Sequence, residues 1–263
     1  MIMTKLPTLG VSIKPNGGAH TFASDPDWMP AKKLGDAQAA YRFAQRHWTP
    51  KLTDAFKEQL DHSANLLFIS QPSTSGVNVL PTGLAETLAM VHGGRFLDGE
   101  RHFRAYHLTE SKNIPPERRV LHRRDYELRD PERLRVLTCG KIVVVVDDIF
   151  TSGGSAGQLI RTLQEAGISV QAVVGYVGDT RLNPDPQTIS ALQNAIRHTH
   201  MNIKGKDLAA LLTRAEVRGL TRLIHDARTS ESIQTIARDL QGLLFGGVDP
   251  GVGTDPQPPG GTP

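Results

Sequence analysis

The residues best suited to chemistry lie in one run, Val143 to Ser155, reading VVVVDDIFTSGGS. Four consecutive valines cannot form a half-exposed strand, because alternate side chains would face water. The run therefore predicts a strand covered on both faces, as in a parallel sheet. Such a strand delivers Asp147 and Asp148 to its C-terminal end, where open parallel sheets bind ligands. The small-residue loop Thr151, Ser152, Gly153, Gly154, Ser155 then opens a helix. Backbone N–H groups, hydroxyls and the helix dipole at such a place suit a phosphate. Two carboxylates beside a phosphate would repel it, so they need another task. They can accept hydrogen bonds from sugar hydroxyls, or hold a divalent cation that bridges to the phosphate.

Two other phosphate motifs fail on spacing. A Walker A loop needs Gly-Lys-Ser/Thr, and no lysine follows Gly154; a dinucleotide fingerprint puts its glycines before a distant single acid, not after an acidic pair. A second small-residue loop lies upstream. The apolar run at Asn65 to Ser70 predicts a buried strand, followed by Gln71, Pro72, Ser73, Thr74, Ser75, Gly76, Val77 and Asn78 and then a helix ending near Gly93 and Gly94. Hydroxyls, a glycine and a capping Asn78 suit a nest for an anion.

The strand and helix of the first run continue into a second strand at Ser169 to Val177, which makes a βαβ unit with a right-handed crossover. The resulting expectation is an α/β fold with a central, mostly parallel sheet and added N- and C-terminal helices. Along the chain this divides into an irregular segment over 1–30, a helical extension over 31–62, a core over 63–200, a helical C-terminal extension over 201–245 and a disordered tail over 246–263. Apolar spacing predicts helices from Ala31 to about His47, Lys51 to Asp61, Ile189 to Ile196, Lys206 to about Ala227 and Glu231 to Leu244. His102 to Leu108 and Arg119 to Leu128 read as short strands around the Pro115-Pro116 corner.

The run at 143–155 resembles the PRPP-binding motif of type I phosphoribosyltransferases: hydrophobic residues, two acids, two hydrophobic residues and a TTGGT-like loop. Only Phe150 departs from it, since the family usually has an aliphatic residue there. The resemblance covers roughly residues 63 to 200. It implies that Asp147 and Asp148 hold the ribose hydroxyls near a Mg²⁺ carried by the pyrophosphate, directly or indirectly, and that Thr151, Ser152, Gly153, Gly154 and Ser155 cradle the 5′-phosphate. It assigns the loop with Gln71, Ser73, Thr74, Ser75 and Gly76 to pyrophosphate. A flexible loop closing over the site would bring Lys112, Arg118 and Arg119 to the same group. The implied activity is transfer of a phosphoribosyl group from PRPP to a nitrogenous small-molecule acceptor, with release of pyrophosphate. Members acting on 6-oxopurines carry an aspartate base at the place of Thr151, which makes hypoxanthine and guanine less favoured acceptors here. Tyr176, Asp179 and Arg181 follow the next strand, where the family often contacts the acceptor base.

Composition narrows the partners. The 263 residues carry 30 basic and 27 acidic side chains, a net charge of +3. Between Arg101 and Arg135 ten basic residues face six acidic ones, so this stretch is +4 and the rest of the chain −1. An excess confined to the span between two phosphate-type loops suits a diphosphorylated sugar. A nucleic-acid partner is allowed but not favoured, and a non-catalytic PRPP- or nucleotide-sensing regulator that binds nucleic acid is the alternative reading. A homodimer is compatible with the terminal helices. The longest apolar runs fall far short of the ~20 residues of a membrane helix, and the N-terminus lacks an apolar leader, so a cytoplasmic protein without a membrane partner is expected. The lone Cys139 rules out an internal disulfide and multi-cysteine zinc, and reads as a packing residue before the buried strand. His198 and His200 lack a third ligand nearby in sequence.

Overall fold

The computed structural model describes residues 6–60, 65–73, 75–106, 120–121, 125–199, 201–227 and 229–245. In chain order the strands are β1 (Leu9–Lys14), β2 (Leu66–Ser70), β3 (Arg95–Leu97), β4 (Phe103–Tyr106), β5 (Asp125–Leu128), β6 (Ile142–Phe150) and β7 (Val170–Gly178). The helices are α1 (Trp28–Lys33), α2 (Ala37–His47), α3 (Pro50–Gln59), α4 (Leu80–His92), α5 (Gly99–His102), α6 (Pro131–Thr138), α7 (Gly154–Glu165), α8 (Pro186–Arg197), α9 (Gly205–Leu211), α10 (Arg214–Asp226) and α11 (Ser230–Phe245).

The valine run forms β6, at the centre of a five-stranded sheet of order β1-β7-β6-β2-β3 in which every pairing is parallel. Val143, Val144, Val145 and Val146 are all buried, as a strand covered on both faces requires. On one face Val144, Val146, Val174, Tyr176 and Phe68 pack with α1, α2, α3 and α4. On the other, Val143, Val145, Val173 and Leu67 pack with Leu159, Ile160 and Leu163 of α7 and with Phe103 and Tyr126 of the antiparallel pair β4–β5. A third cluster joins α8, α9, α10 and α11 around Leu192, Leu208, Leu220 and Leu240, and Val120 is buried in it.

The α/β expectation holds, with a sheet that is wholly parallel. The N-terminal expectations need correction. Residues 1–30 are not irregular throughout: Leu9–Lys14 is the edge strand β1, in register with β7 from Leu9↔Ala172 to Lys14↔Val177. Pro7 and Pro15 bound this strand rather than break it, and its alternation is faint because Gly10 and Ser12 are small. The helices of 31–62 are no appendage either, since α2 packs along α4 and both cover the sheet. The helix expected from Ala31 is split into α1 and α2, because Asp36 caps a new start by accepting from the Ala39 N–H at 2.9 Å. The helix expected from Lys206 is likewise split into α9 and α10 at Thr213. Cys139 is exposed after α6 instead of packed, because the buried part of β6 begins only at Val143.

Ion pairs fasten the N-terminal layer. Arg46 reaches Asp25 at 2.6 Å and Asp27 at 2.5 Å, Arg42 reaches Asp27 at 2.6 Å, and His47 lies 2.9 Å from Asp25. The Arg42 guanidinium, then that of Arg46, holds the Asp27 carboxyl below its usual range. No helix of the described residues is long and apolar enough to cross a membrane.

Candidate functional site

Strand order fixes where a ligand can sit. The chain runs from β2 through α4 to β3 in one direction along the sheet, and from β6 through α7 to β7 in the other. The direction reverses between β2 and β6, which are neighbours from Leu66↔Ile142 to Ser70↔Val146. A topological switch point of this kind opens a crevice at the carboxyl ends of the two strands. The loops that leave β2 and β6 are the two small-residue loops singled out in the sequence.

After β6, Thr151 is exposed, Ser152 and Ser155 are half-buried, and Gly153 and Gly154 are buried. Gly153 is the N-cap of α7 with φ +66°, a left-handed conformation that favours glycine. The Ser152 hydroxyl accepts from the Gly154 N–H at 3.3 Å. Phe150, the departure from the motif, is buried against Gly175 of β7: a methyl group on Gly175 would lie 2.7 Å from Cδ2 of the ring.

Asp147 and Asp148 are 5% and 8% exposed, so both carboxylates are removed from bulk water and need partners. Asp147 Oδ1 accepts the Asp148 N–H at 2.8 Å. Asp148 Oδ2 accepts from Lys32 Nζ at 2.8 Å and from Asn78 Nδ2 at 3.0 Å. The pleat of β6 directs Asp147 to the α7 side with Val143 and Val145, and Asp148 to the α4 side with Val144 and Val146. Asn78 is thus more than the cap expected of it. Its Oδ1 accepts from the Leu80 N–H at 3.3 Å while its amide holds Asp148.

Within the β2 loop Gln71 is buried and its Oε1 has no hydrogen-bond partner among the described residues. Ser73 and Ser75 hydroxyls lie 2.9 Å apart. The Ser73 N–H donates to Glu100 Oε1 at 2.6 Å, so this loop already binds one anionic group, the carboxylate of α5. Gly76 has φ +65° at the loop's exposed tip. Thr74, Lys112, Arg118 and Arg119 lie outside the described residues. Of the other basic residues between 101 and 135, Arg129 donates to the Phe103 carbonyl at 3.1 Å and Arg135 to the Ala166 carbonyl at 2.6 Å, which are structural tasks.

Tyr176 does not follow the strand but lies within β7. It is fully buried among Phe22, Trp28 and Phe43, and burial, then the Asp148 and Asp25 charges, push its phenol well above the usual value. Its hydroxyl has no hydrogen-bond partner among the described residues. Asp179 and Arg181 pair at 2.8 Å, and Arg181 holds the Asp179 carboxyl below its usual range. Beside them a cavity of about 320 Å³ is lined in part by Ser12, Asn16, Gln59 and Thr180. Ser12 stands in the same row across the sheet as Gly175 and Asp147. Its buried hydroxyl lacks a partner among the described residues.

Residues far from the motif also hold the site. Thr213 Oγ1 donates to the Ser152 carbonyl at 2.6 Å, and Thr213 with Glu216 forms the capping box of α10. The T-x-x-E spacing of Thr213 and Glu216 is a readable helix start, but nothing in it says that the cap also fastens the β6 loop. Thr213→Val keeps the shape and removes the hydroxyl. It is expected to cost about 2 to 3 kcal/mol, from a lost cap and an unpaired carbonyl, and to speed amide exchange at 151–154. Denaturant unfolding and hydrogen exchange check this; a change below about 0.5 kcal/mol would refute the link.

Among the described residues no group of three or more His, Cys, Asp or Glu side chains could hold a metal ion by itself. His200 lies outside the described residues. Compared with protein-family models, with curated proteins and with solved structures, the chain matches none.

Proposed function

We propose that this chain is a phosphoribosyltransferase of the type I kind, which binds PRPP in the crevice between β2 and β6 and transfers its phosphoribosyl group to a nitrogenous acceptor. The observation that carries the reading is the meeting, at one topological switch point, of a carboxylate pair and two small-residue loops. The β6 loop and the N-terminus of α7 would take the 5′-phosphate, and Asp147 and Asp148 the ribose hydroxyls. Pyrophosphate would lie on the β2 loop, in exchange with Glu100 at the Ser73 N–H. The acceptor would occupy the cavity at Ser12, Asn16 and Gln59, whose hydroxyl and amides suit the donors and acceptors of a nitrogen heterocycle.

In the reaction an acceptor nitrogen donates its lone pair to the anomeric carbon, the bond from that carbon to pyrophosphate breaks with its electrons, and a proton carried by the attacking nitrogen passes to water or to the departing pyrophosphate. In this reading the nucleophile is the acceptor's own nitrogen. The chain's residues position the sugar and set the charge around a carbon with oxocarbenium character. The donor set fits a Mg²⁺ that arrives on the pyrophosphate: two carboxylates offer hard oxygens but do not make a cage, and Mg²⁺ is commonly held by one or two carboxylates plus substrate phosphates. When bound, that ion would neutralise charge on the leaving group.

Isothermal titration is expected to give Mg²⁺-dependent PRPP binding that Asp147→Asn with Asp148→Asn weakens at least about 100-fold, the scale of losing hydrogen bonds to charged groups. Unchanged binding in the folded double variant overturns the assignment. Pyrophosphate release across a panel of nitrogenous bases identifies the acceptor; tight PRPP binding without release for any of them points instead to a sensing protein.

A further inference from the structure

The site contains a cation that neither small-residue loop supplies. Lys32, on α1, reaches across to Asp148, and its ammonium lies 2.8 Å from Oδ2 and 4.7 Å from the centre of the Trp28 ring. Two features fix it there. Trp28 and Ala31 are buried, which anchors α1, and the Val79 N–H donates to the Ala31 carbonyl at 3.1 Å. The latter bond ties α1 to the end of the β2 loop, beside Asn78, the other donor to Asp148. An ammonium has three N–H donors. One is spent on Asp148, and the rest have no acceptor among the described residues, with the side chain 22% exposed.

An anionic ligand beside Asp147 and Asp148 meets two negative charges before it meets anything favourable. A lysine already hydrogen-bonded to one of them halves that charge and holds spare donors beside it. We propose that Lys32 is the ligand-binding cation of this site: its ammonium bridges Asp148 to an anionic oxygen of a phosphorylated sugar. This rests on the reading of the crevice as a PRPP site, and extends it to a residue outside the span of the motif resemblance. A cation brought by an N-terminal helix also makes the N-terminal layer part of the binding apparatus.

The test compares the full chain with Lys32→Met, which keeps the stem over Trp28, and with Lys32→Arg. Titration with Mg²⁺-PRPP is expected to weaken about 10- to 100-fold for Lys32→Met, as for loss of one charge-assisted hydrogen bond, and to stay within about threefold for Lys32→Arg. A second readout needs no variant: reductive methylation followed by mass spectrometry is expected to mark Lys32 in the free protein and to spare it with PRPP bound. A folded Lys32→Met that binds PRPP like the parent overturns the role of Lys32 and leaves the PRPP reading standing. Parent protein that binds no PRPP overturns both. If Lys32→Met does not fold, the labelling decides, and Lys32 methylated equally with and without bound PRPP refutes the bridge. Inorganic pyrophosphate as the protecting ligand distinguishes contact with the leaving group from contact with the 5′-phosphate end.

Discussion

A chain cut to residues 63–245 is expected not to fold into a cooperative unit. The cut follows the boundary at which apolar spacing and motif resemblance place the start of the core, and it removes β1 and α1 to α3. What remains is a sheet with one face stripped of part of its cover. Tyr176, fully buried in the whole chain, loses Phe43 at 4.8 Å, Phe22 at 6.1 Å and Trp28 at 6.4 Å between ring centres. The five buried aromatic side chains Phe22, Trp28, Phe43, Trp48 and Phe56 go with the segment. At about 2 kcal/mol each the loss is on the order of 10 kcal/mol, as large as the whole stability of a typical domain. β7 also becomes an unpaired edge where β1 was, which invites aggregation. Near-ultraviolet circular dichroism and urea unfolding of the fragment measure this. A sharp transition with a midpoint near that of the full chain would show that α4 covers this face alone and that the N-terminal helices are an addition.

That expectation shows where sequence reasoning works here and where it stops. The valine run could be read as a central parallel strand because burial on both faces leaves a mark in composition: no polar residue interrupts Ile142 to Val146. The two loops could be read because glycines and hydroxylated residues cluster for local backbone reasons. β1 left no such mark. As an edge strand with Gly10 and Ser12 on one side it buries only Val11 of its hydrophobic residues fully, and two prolines flank it. Lys32 and Thr213 left none either. Each meets the site through a contact across the fold, Lys32 with Asp148 and Thr213 with Ser152, and the local spacing of a lysine on a helix or a threonine at a cap is the same whether or not such a contact exists. Local chemistry is legible in one sequence, whereas pairing between distant segments is set by tertiary packing.

The pair formed by Phe150 and Gly175 is such a distant match, and it is open to a quantitative test. Phe150 is the one position of the run that departs from the phosphoribosyltransferase pattern, and the structure sets its ring where β7 has no side chain. A methyl group on Gly175 would meet the Cδ2 of that ring at 2.7 Å and the Asp147 carbonyl at 3.2 Å. Farther along β7, Gly178 is the register partner of Phe150, and a methyl group there would meet the Phe150 carbonyl. Gly175→Ala alone is therefore expected to overpack the contact and cost about 3 kcal/mol. Phe150→Val alone leaves a void in a core cluster and costs about 2 to 3 kcal/mol. Together they are expected to cost at least about 1.5 kcal/mol less than the sum, since the smaller residue vacates the space that the new methyl needs. Phe150 is followed directly by Thr151, so Gly175→Ala is expected also to weaken the proposed PRPP binding by shifting the loop, and the double variant to recover it. Denaturant unfolding of the four proteins in this cycle gives the coupling. Costs that add within about 0.5 kcal/mol would mean that the glycine and the ring are not matched to each other, and that the aromatic residue at 150 answers to α7 instead.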